Sequence, residues 1–232
     1  MLQIERISHV FGLKPVLRKV TFDIPEGQYL ALLGANGAGK TTLLRIVSTL
    51  MRPTAGQVRL GGFLLPKEAS AARQLIGLIG HNPLLYTELS AAENLRLYAR
   101  LYGLRLTPAQ IDRTLDDVGL LRRKNDLVRN FSRGMQQRLA IARATLHQPR
   151  LMLCDEPHTG LDQQASNMLD AVLRRLVAQG CTVVMATHDL RRAVTESHRV
   201  VILRNGQVVF DQPAATLDPD TFPKVFSEVG HG

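Results

Sequence analysis

A chain of 232 residues with 45% hydrophobic side chains carries enough apolar material for a sizeable core, which excludes a disordered ground state. No run of 18 apolar residues is present, and Met1-Leu2-Gln3-Ile4-Glu5-Arg6 lacks the basic-then-apolar order of a leader, so neither a transmembrane segment nor a signal peptide is expected. The net charge of +9 is concentrated in residues 96–150, where 12 Lys/Arg face 4 Asp/Glu, a patch suited to an anionic membrane, nucleic acid or plain solvent.

From the N-terminus, strand signals alternate with turns: Leu2 to Ile7, then Val20 to Ile24, the turn Pro25-Glu26-Gly27, and the apolar run Tyr29-Leu30-Ala31-Leu32-Leu33. That run enters Gly34-Ala35-Asn36-Gly37-Ala38-Gly39-Lys40-Thr41-Thr42, followed by helix-like Leu43 to Val47. Strand, glycine-rich loop and helix in this order match the phosphate-binding pattern G-x-x-x-x-G-K-[ST]. Glycines at 34, 37 and 39 let successive amides turn inward around an anion, and the helix adds its unpaired amides and positive dipole end. Gly34, Asn36, Gly37, Ala38, Gly39, Lys40, Thr41 and Thr42 are therefore the expected nucleotide contacts. Lys40 is expected on the β- and γ-phosphates and the Thr41 hydroxyl on magnesium.

After a turn at Pro53-Thr54-Ala55-Gly56, Gln57 to Leu60 reads as a short strand ending in a Gly61-Gly62 reversal, and Gln74 to Gly80 as another strand. The hydrophobic period then changes from two to about 3.6. Ser90 with Glu93, and Thr107-Pro108 with Gln110, are capping-box starts of two helices. Leu120 to Asn130 reads as a charged connection, and a third helix begins near Arg133. Three helices without an intervening strand predict an all-α insert, 84–150, within an α/β chain whose remaining parts are 1–83 and 151–232. Leu151-Met152-Leu153-Cys154 and Thr182 to Ala186 are continuous apolar strands of the doubly buried kind, separated by a helix from Asp162 to Gly180. Cys154 and Cys181 lie inside apolar runs and read as buried hydrophobes in a reducing compartment. Val200 to Phe210, with a turn at Arg204-Asn205-Gly206, is a hairpin signal, and the final twenty or so residues read as a modest tail.

Polar clusters at 39–42, 155–156 and 187–189 each follow an apolar strand, so in a doubly wound sheet they converge beyond the carboxyl ends of the strands. Asp155 then has the position of a magnesium-holding carboxylate, Glu156 that of a general base for an attacking water, and His188 that of a contact for the γ-phosphate or Glu156.

With these residues in place, the chain resembles the ATP-binding subunit of an ABC transporter over nearly its full length. Phe131-Ser132-Arg133-Gly134-Met135 approximates the family's Leu-Ser-Gly-Gly-Gln signature, Gly160-Leu161-Asp162 its interface-crossing loop and Phe11 its adenine-stacking aromatic. Arg133 and Met135 depart from the commonest signature, and His81 stands where the family usually has a glutamine touching magnesium and water.

The resemblance implies one ATP-binding domain over 1–232. Its expected fold is an α/β phosphate-loop nucleotide-hydrolase core with a mixed sheet, an N-terminal antiparallel β part and an inserted three-helix α subdomain. It implies ATP hydrolysis with magnesium, by Lys40, Glu156 and His188, with Thr41, Asp155 and His81 at the metal. Ser132 and Gly134 cap the nucleotide held by a second copy or a paired ATPase subunit, near Asp162. Transmembrane permease subunits are the implied partners, at the cytoplasmic face of the cell membrane. A second class of function, a nucleic-acid or ribosome-associated ABC ATPase, is carried by the basic insert but is less expected, and no direct nucleic-acid partner is expected, because the chain has a single ATPase unit, few aromatics, and neither an arginine-rich tail nor a long coiled-coil insertion. A pseudo-ATPase that only binds nucleotide is disfavoured by the presence of Glu156 and His188.

More narrowly, Ile79-Gly80-His81-Asn82-Pro83, the 131–135 signature and Asp155-Glu156-Pro157-His158-Thr159-Gly160-Leu161-Asp162 resemble the ATPase of the haem exporter of cytochrome c maturation. The alternative, the ATPase of a drug, antibiotic or ion exporter, shares much of these motifs.

Overall fold

Strand polarity and periodicity build two sheets from one chain in the computed structural model, which describes residues 1–80 and 82–231. Strands β1 (Leu2–Phe11) and β2 (Lys14–Ile24) form a hairpin, and β3 (Tyr29–Leu33) leaves it for α1 (Lys40–Val47). Next, β4 (Ala55–Leu60) and β5 (Phe63–Leu65) return to the hairpin and complete an antiparallel sheet of order β2-β1-β4-β5. Helix α2 (Ala69–Arg73) and β6 (Ile76–Ile79) precede three helices, α3 (Ala91–Leu101), α4 (Pro108–Asp116) and α5 (Arg133–Thr145). Alternation resumes with β7 (Leu151–Asp155), α6 (Gln163–Ala178), β8 (Thr182–Ala186), α7 (Leu190–Glu196), β9 (Arg199–Arg204), β10 (Gln207–Pro213) and α8 (Phe222–His231). The second sheet has the order β10-β9-β3-β8-β7-β6 and is parallel except for the β9–β10 edge hairpin. The fold is the expected one: α/β, with a mixed sheet and an antiparallel N-terminal part.

Side chains alternate along the central strands, and this divides the core into two layers. Leu30 and Leu32 of β3 and Leu151 and Leu153 of β7 face the antiparallel sheet and α1, where Ile4, Leu17, Val58 and Leu60 meet Leu43 and Ile46. Met152 and Cys154, with Val183 and Met185 of β8, face the other way onto Leu169, Leu173 and Leu176 of α6. Both cysteines are buried and free, and burial pushes Cys154 above the range of a reactive thiol.

The helical insert has a core of its own, including Leu95, Ile111, Leu115, Val128 and Leu139. Both predicted capping boxes are formed, Ser90 with Glu93 and Thr107 with Gln110. Two stretches that the sequence reads only coarsely have definite structure. The charged connection 120–130 contains two single-turn 3-10 segments, 121–123 and 128–130. The C-terminal tail is packed: Phe222 opens α8, is buried, and packs with Phe210, Val200 and Ile202 on the β9–β10 end of the sheet.

The insert is fastened to the sheet through α5. Arg143 donates to the Leu78 carbonyl at 2.6 Å, lies 5.1 Å from the Tyr98 ring centroid, and is buried. One turn on, His147 stacks on Tyr102 at 3.7 Å and donates Nε2–H to the Ile76 carbonyl at 3.0 Å. Burial holds this imidazole neutral, moving it from its ordinary 6.5 down to about 4, although the bond to Ile76 opposes the shift. The unfolded chain takes up that proton first. The contribution of His147 to stability is therefore full above pH 6.5 and is lost progressively as the pH falls towards 4. Urea midpoints measured at about pH 7.5 and about pH 5 are expected to separate less in His147→Phe than in the native chain; an equal separation in both would contradict the assignment.

Candidate active site

Helix α1 stands apart from α3 to α7 because no side chain caps it. Ser90, Thr107, Ser132, Asp162 and Asp189 each cap the helix that follows them, whereas Gly39 precedes Lys40–Val47 with no side-chain hydrogen bond. Its first-turn amides are left for an anion. The loop is shaped for that approach. A Cβ at Gly34 would lie 2.4 Å from the Leu203 carbonyl oxygen, and one at Gly39, where φ is +108°, would lie 2.6 Å from Leu17 Cδ2. Gly37 has nothing within 4 Å of such an atom. The loop is thus pressed onto β2 and β9 at two points and open at the third.

Lys40 is 7% exposed and donates Nζ–H to the Gly34 carbonyl at 2.6 Å and to Ala35 at 3.4 Å. Burial draws the ammonium below its ordinary pKa, and the carboxylates of Glu156 and Asp155 oppose that pull. Sheet order brings these groups together: β3 lies beside β8, and β8 beside β7, so the residues that leave all three strands share one edge. Thr41 Oγ1 donates to Asp155 Oδ1 at 3.1 Å, Lys40 Nζ lies 4.0 Å from Glu156 Oε1, and His188 Nδ1 is 2.7 Å from Glu156 Oε2. The convergence expected of the clusters at 39–42, 155–156 and 187–189 is realised in these contacts.

Glu156 adopts φ +51°, a left-handed backbone that costs a non-glycine residue about 1–2 kcal/mol. Its N–H is held by the Ala186 carbonyl at 2.9 Å. Strain at a carboxylate beside an ammonium and an imidazole marks a group whose aim matters.

The remaining sequence candidates lie elsewhere. Phe11 ends β1, is exposed, and meets His9 edge-to-face at 4.6 Å. Ser132 and Asp162 cap α5 and α6, accepting from Met135 N at 3.3 Å and Ala165 N at 2.7 Å. With Gly134 they line a separate small cleft that includes none of the residues 34–42. His81 lies outside the described residues. Four residues near the site have no role readable from the sequence: Gln137, His158, Asp170 and Arg192, whose partners come through tertiary contacts.

A nucleoside triphosphate with magnesium fits what is present. The donor set is an uncapped helix start, a buried ammonium and a hydroxyl paired with a carboxylate, the mix of one or two protein oxygens that a phosphate-bound magnesium ion takes. Among the described residues no group of three or more His, Cys, Asp or Glu forms a cage of its own for a metal, so phosphate oxygens and water would supply the other positions.

A family model described as ABC transporter matches residues 17–159. The chain belongs to the ABC transporter family. It is an ATP hydrolase coupled to transport. The linearmycin resistance ATP-binding protein LnrL of Bacillus subtilis is 34% identical over 211 residues, 90% of this chain and 68% of that protein. The Nod factor export ATP-binding protein I of Paraburkholderia xenovorans is 31% identical over 231 residues, 99% of this chain and 74% of that one. Among solved structures, a dimeric post-hydrolysis ATP-binding cassette bound to ADP and Pi superposes with a TM-score of 0.84 at 27% identity, covering 92% of this chain and 99% of that chain.

Two substitutions probe the loop of this ABC ATPase. Lys40→Ala is expected to weaken binding of a fluorescent ATP analogue at least about tenfold by removing a charge-assisted contact. Gly34→Ala is expected to destabilise the fold by about 1–3 kcal/mol, because its Cβ has to displace the Leu203 carbonyl. Chemical denaturation and titration of the two variants check these outcomes.

Proposed function

We propose that this chain is the motor ATPase of an exporter, working as a pair of ATP-binding subunits on the cytoplasmic face of a membrane. The carrying observation is the single edge on which Lys40, Thr41, Asp155, Glu156 and His188 meet. In this reading the loop 34–42 and Lys40 hold the phosphates, Thr41 and Asp155 hold magnesium, and Phe11 supports the base. Magnesium would neutralise phosphate charge when bound. Glu156 orients and deprotonates the attacking water, while His188 hydrogen-bonds to the Glu156 carboxylate and faces the terminal phosphate. His81 is carried as a further metal and water contact.

Ser132, Gly134 and Asp162 have no part in the site of their own copy, and their cleft with its helix start is suited to the nucleotide of another copy. The dimeric cassette that superposes on this chain supports such a pairing. Closure on ATP and reopening after hydrolysis would then move the attached membrane subunits. We assign the 84–150 insert as the part that receives these permease subunits. Leu84, Tyr86 and Leu101 are exposed there, and the basic character of 96–150 suits a nearby anionic leaflet. Among the described residues no helix is long and apolar enough to cross a membrane, so the path for cargo is assigned to those partners.

For the cargo, the names of the relatives favour the drug or antibiotic exporter reading, since they include linearmycin resistance, daunorubicin resistance and Nod factor export. The second reading, haem export for c-type cytochrome biogenesis, rests on the motifs at 79–83, 131–135 and 155–162; none of the eight relatives compared is named for haem. Isolation of the permease bound to this chain separates the two cargo readings.

The shared site has a complementation test. Lys40→Ala and Ser132→Arg chains are each expected to be nearly inactive, and an equal mixture is expected to recover ATPase activity. The mixed pair retains one site built from an intact Lys40 and an intact Ser132. A mixture no more active than its parts would contradict the pairing.

A further inference from the structure

Glu156 is strained, and the bonds that hold it there extend beyond the residues assigned to hydrolysis. On its N-terminal side the β7–β8 ladder and the bond to Ala186 hold the chain. On its C-terminal side the next two residues are both gripped. The Pro157 carbonyl accepts from Gln137 Nε2 of α5 at 3.1 Å. His158 donates Nε2–H to Asp170 Oδ1 of α6 at 2.8 Å.

Asp170 does not stop there. Its other oxygen accepts from Arg192 Nε of α7 at 3.2 Å, and Arg192 Nη1 reaches Asp189 Oδ2 at 3.1 Å. Asp189 is the residue after His188, and it caps α7 by accepting from the Arg192 N–H at 2.9 Å. The run His158–Asp170–Arg192–Asp189 therefore ties the segment leaving Glu156 to the segment carrying His188, behind the 2.7 Å contact of the two reacting side chains. Asp170, at its centre, is 6% exposed. Burial pushes its carboxyl up, but the hydrogen bonds and charges of His158 and Arg192 outweigh that and hold it below the usual range. The relay is ionic and its central carboxylate is shielded from water, so its bonds are directional and costly to leave unpaired.

We propose that His158 and Asp170, braced by Arg192, are positioning residues for hydrolysis: they hold the strained backbone of Glu156 and keep its carboxylate aimed at His188. The proposal rests on the reading of Glu156 and His188 as the hydrolytic pair. None of the relay residues belongs to the loop at 34–42, so their loss leaves nucleotide capture in place and acts on turnover.

Steady-state ATPase kinetics on the full chain test this. His158→Phe removes the donor to Asp170 and is expected to lower kcat about ten- to a hundredfold with KM for ATP within about twofold of native. His158→Gln restores an N–H donor and is expected to recover most of kcat. Arg192→Gln, on the more exposed side of the relay, repeats the test at lower risk to folding and is expected to lower kcat with the same unchanged KM. Unaltered kcat in both His158→Phe and Arg192→Gln overturns the proposal, as does a loss in which KM rises in parallel or His158→Gln fails to rescue. A Glu156→Gln control separates the two levels. If it hydrolyses ATP normally, the hydrolytic pair itself is wrong; if it is inert while the relay variants are active, only the positioning role falls.

Discussion

A lysine ammonium almost removed from water needs compensation, and much of the site follows from that need. Lys40 lies under its own loop and gives its hydrogen bonds to backbone carbonyls, while Asp155 and Glu156 offset the cost of its burial from the next-but-one strand. That arrangement exists because β3, β8 and β7 are parallel neighbours. Parallel pairing sends the residues that follow each strand to the same edge, so a cation from one strand–helix turn and carboxylates from another meet without any local sequence relation. Phosphate arriving at the uncapped start of α1 would bring the negative charge that the loop lacks.

Around this charge balance the chain places rigidity and strain differently. Strands β7 and β8 of the six-stranded sheet are buried on both faces, by α1 and the antiparallel sheet on one side and by α6 and α5 on the other. Such a frame can hold one residue in an unfavourable backbone region, and at the site that residue is Glu156. The same frame meets the helical insert at a few polar joints: Arg143 to Leu78, His147 to Ile76 and Gln137 to Pro157. All three run from the region of α5, the helix that Ser132 caps. Movement of the insert therefore has a short physical route to the segment after Glu156.

The sequence made the frame and the phosphate loop readable because both rest on local rules. Glycine spacing, the strand before it and the helix after it marked 34–42, and capping boxes at Ser90 and Thr107 marked the starts of two helices. Asp155, Glu156 and His188 were legible through a topological rule, that polar residues after buried parallel strands converge. Legibility ended where contact replaces pattern. His158, Asp170 and Arg192 sit on three different segments at spacings with no period, so nothing local singles them out. Phe222 lies in a stretch with weak helical signal, and only its burial against Phe210 and the β9–β10 hairpin reveals why that stretch is ordered. The haem-exporter likeness rested on short motifs alone. The relatives named above give it no support, because none carries haem in its name.

The central claim is that Glu156 drives hydrolysis of a nucleotide held mainly by other residues. Rapid-quench single-turnover measurement with γ-labelled ATP, on native chain and Glu156→Gln together with its permease, tests this most directly. The account predicts ATP affinity preserved within a few-fold and a cleavage step slowed about a hundredfold or more, in line with loss of a general base. Hydrolysis by the variant at the native rate, or loss of ATP binding with no separate effect on the chemical step, would contradict it.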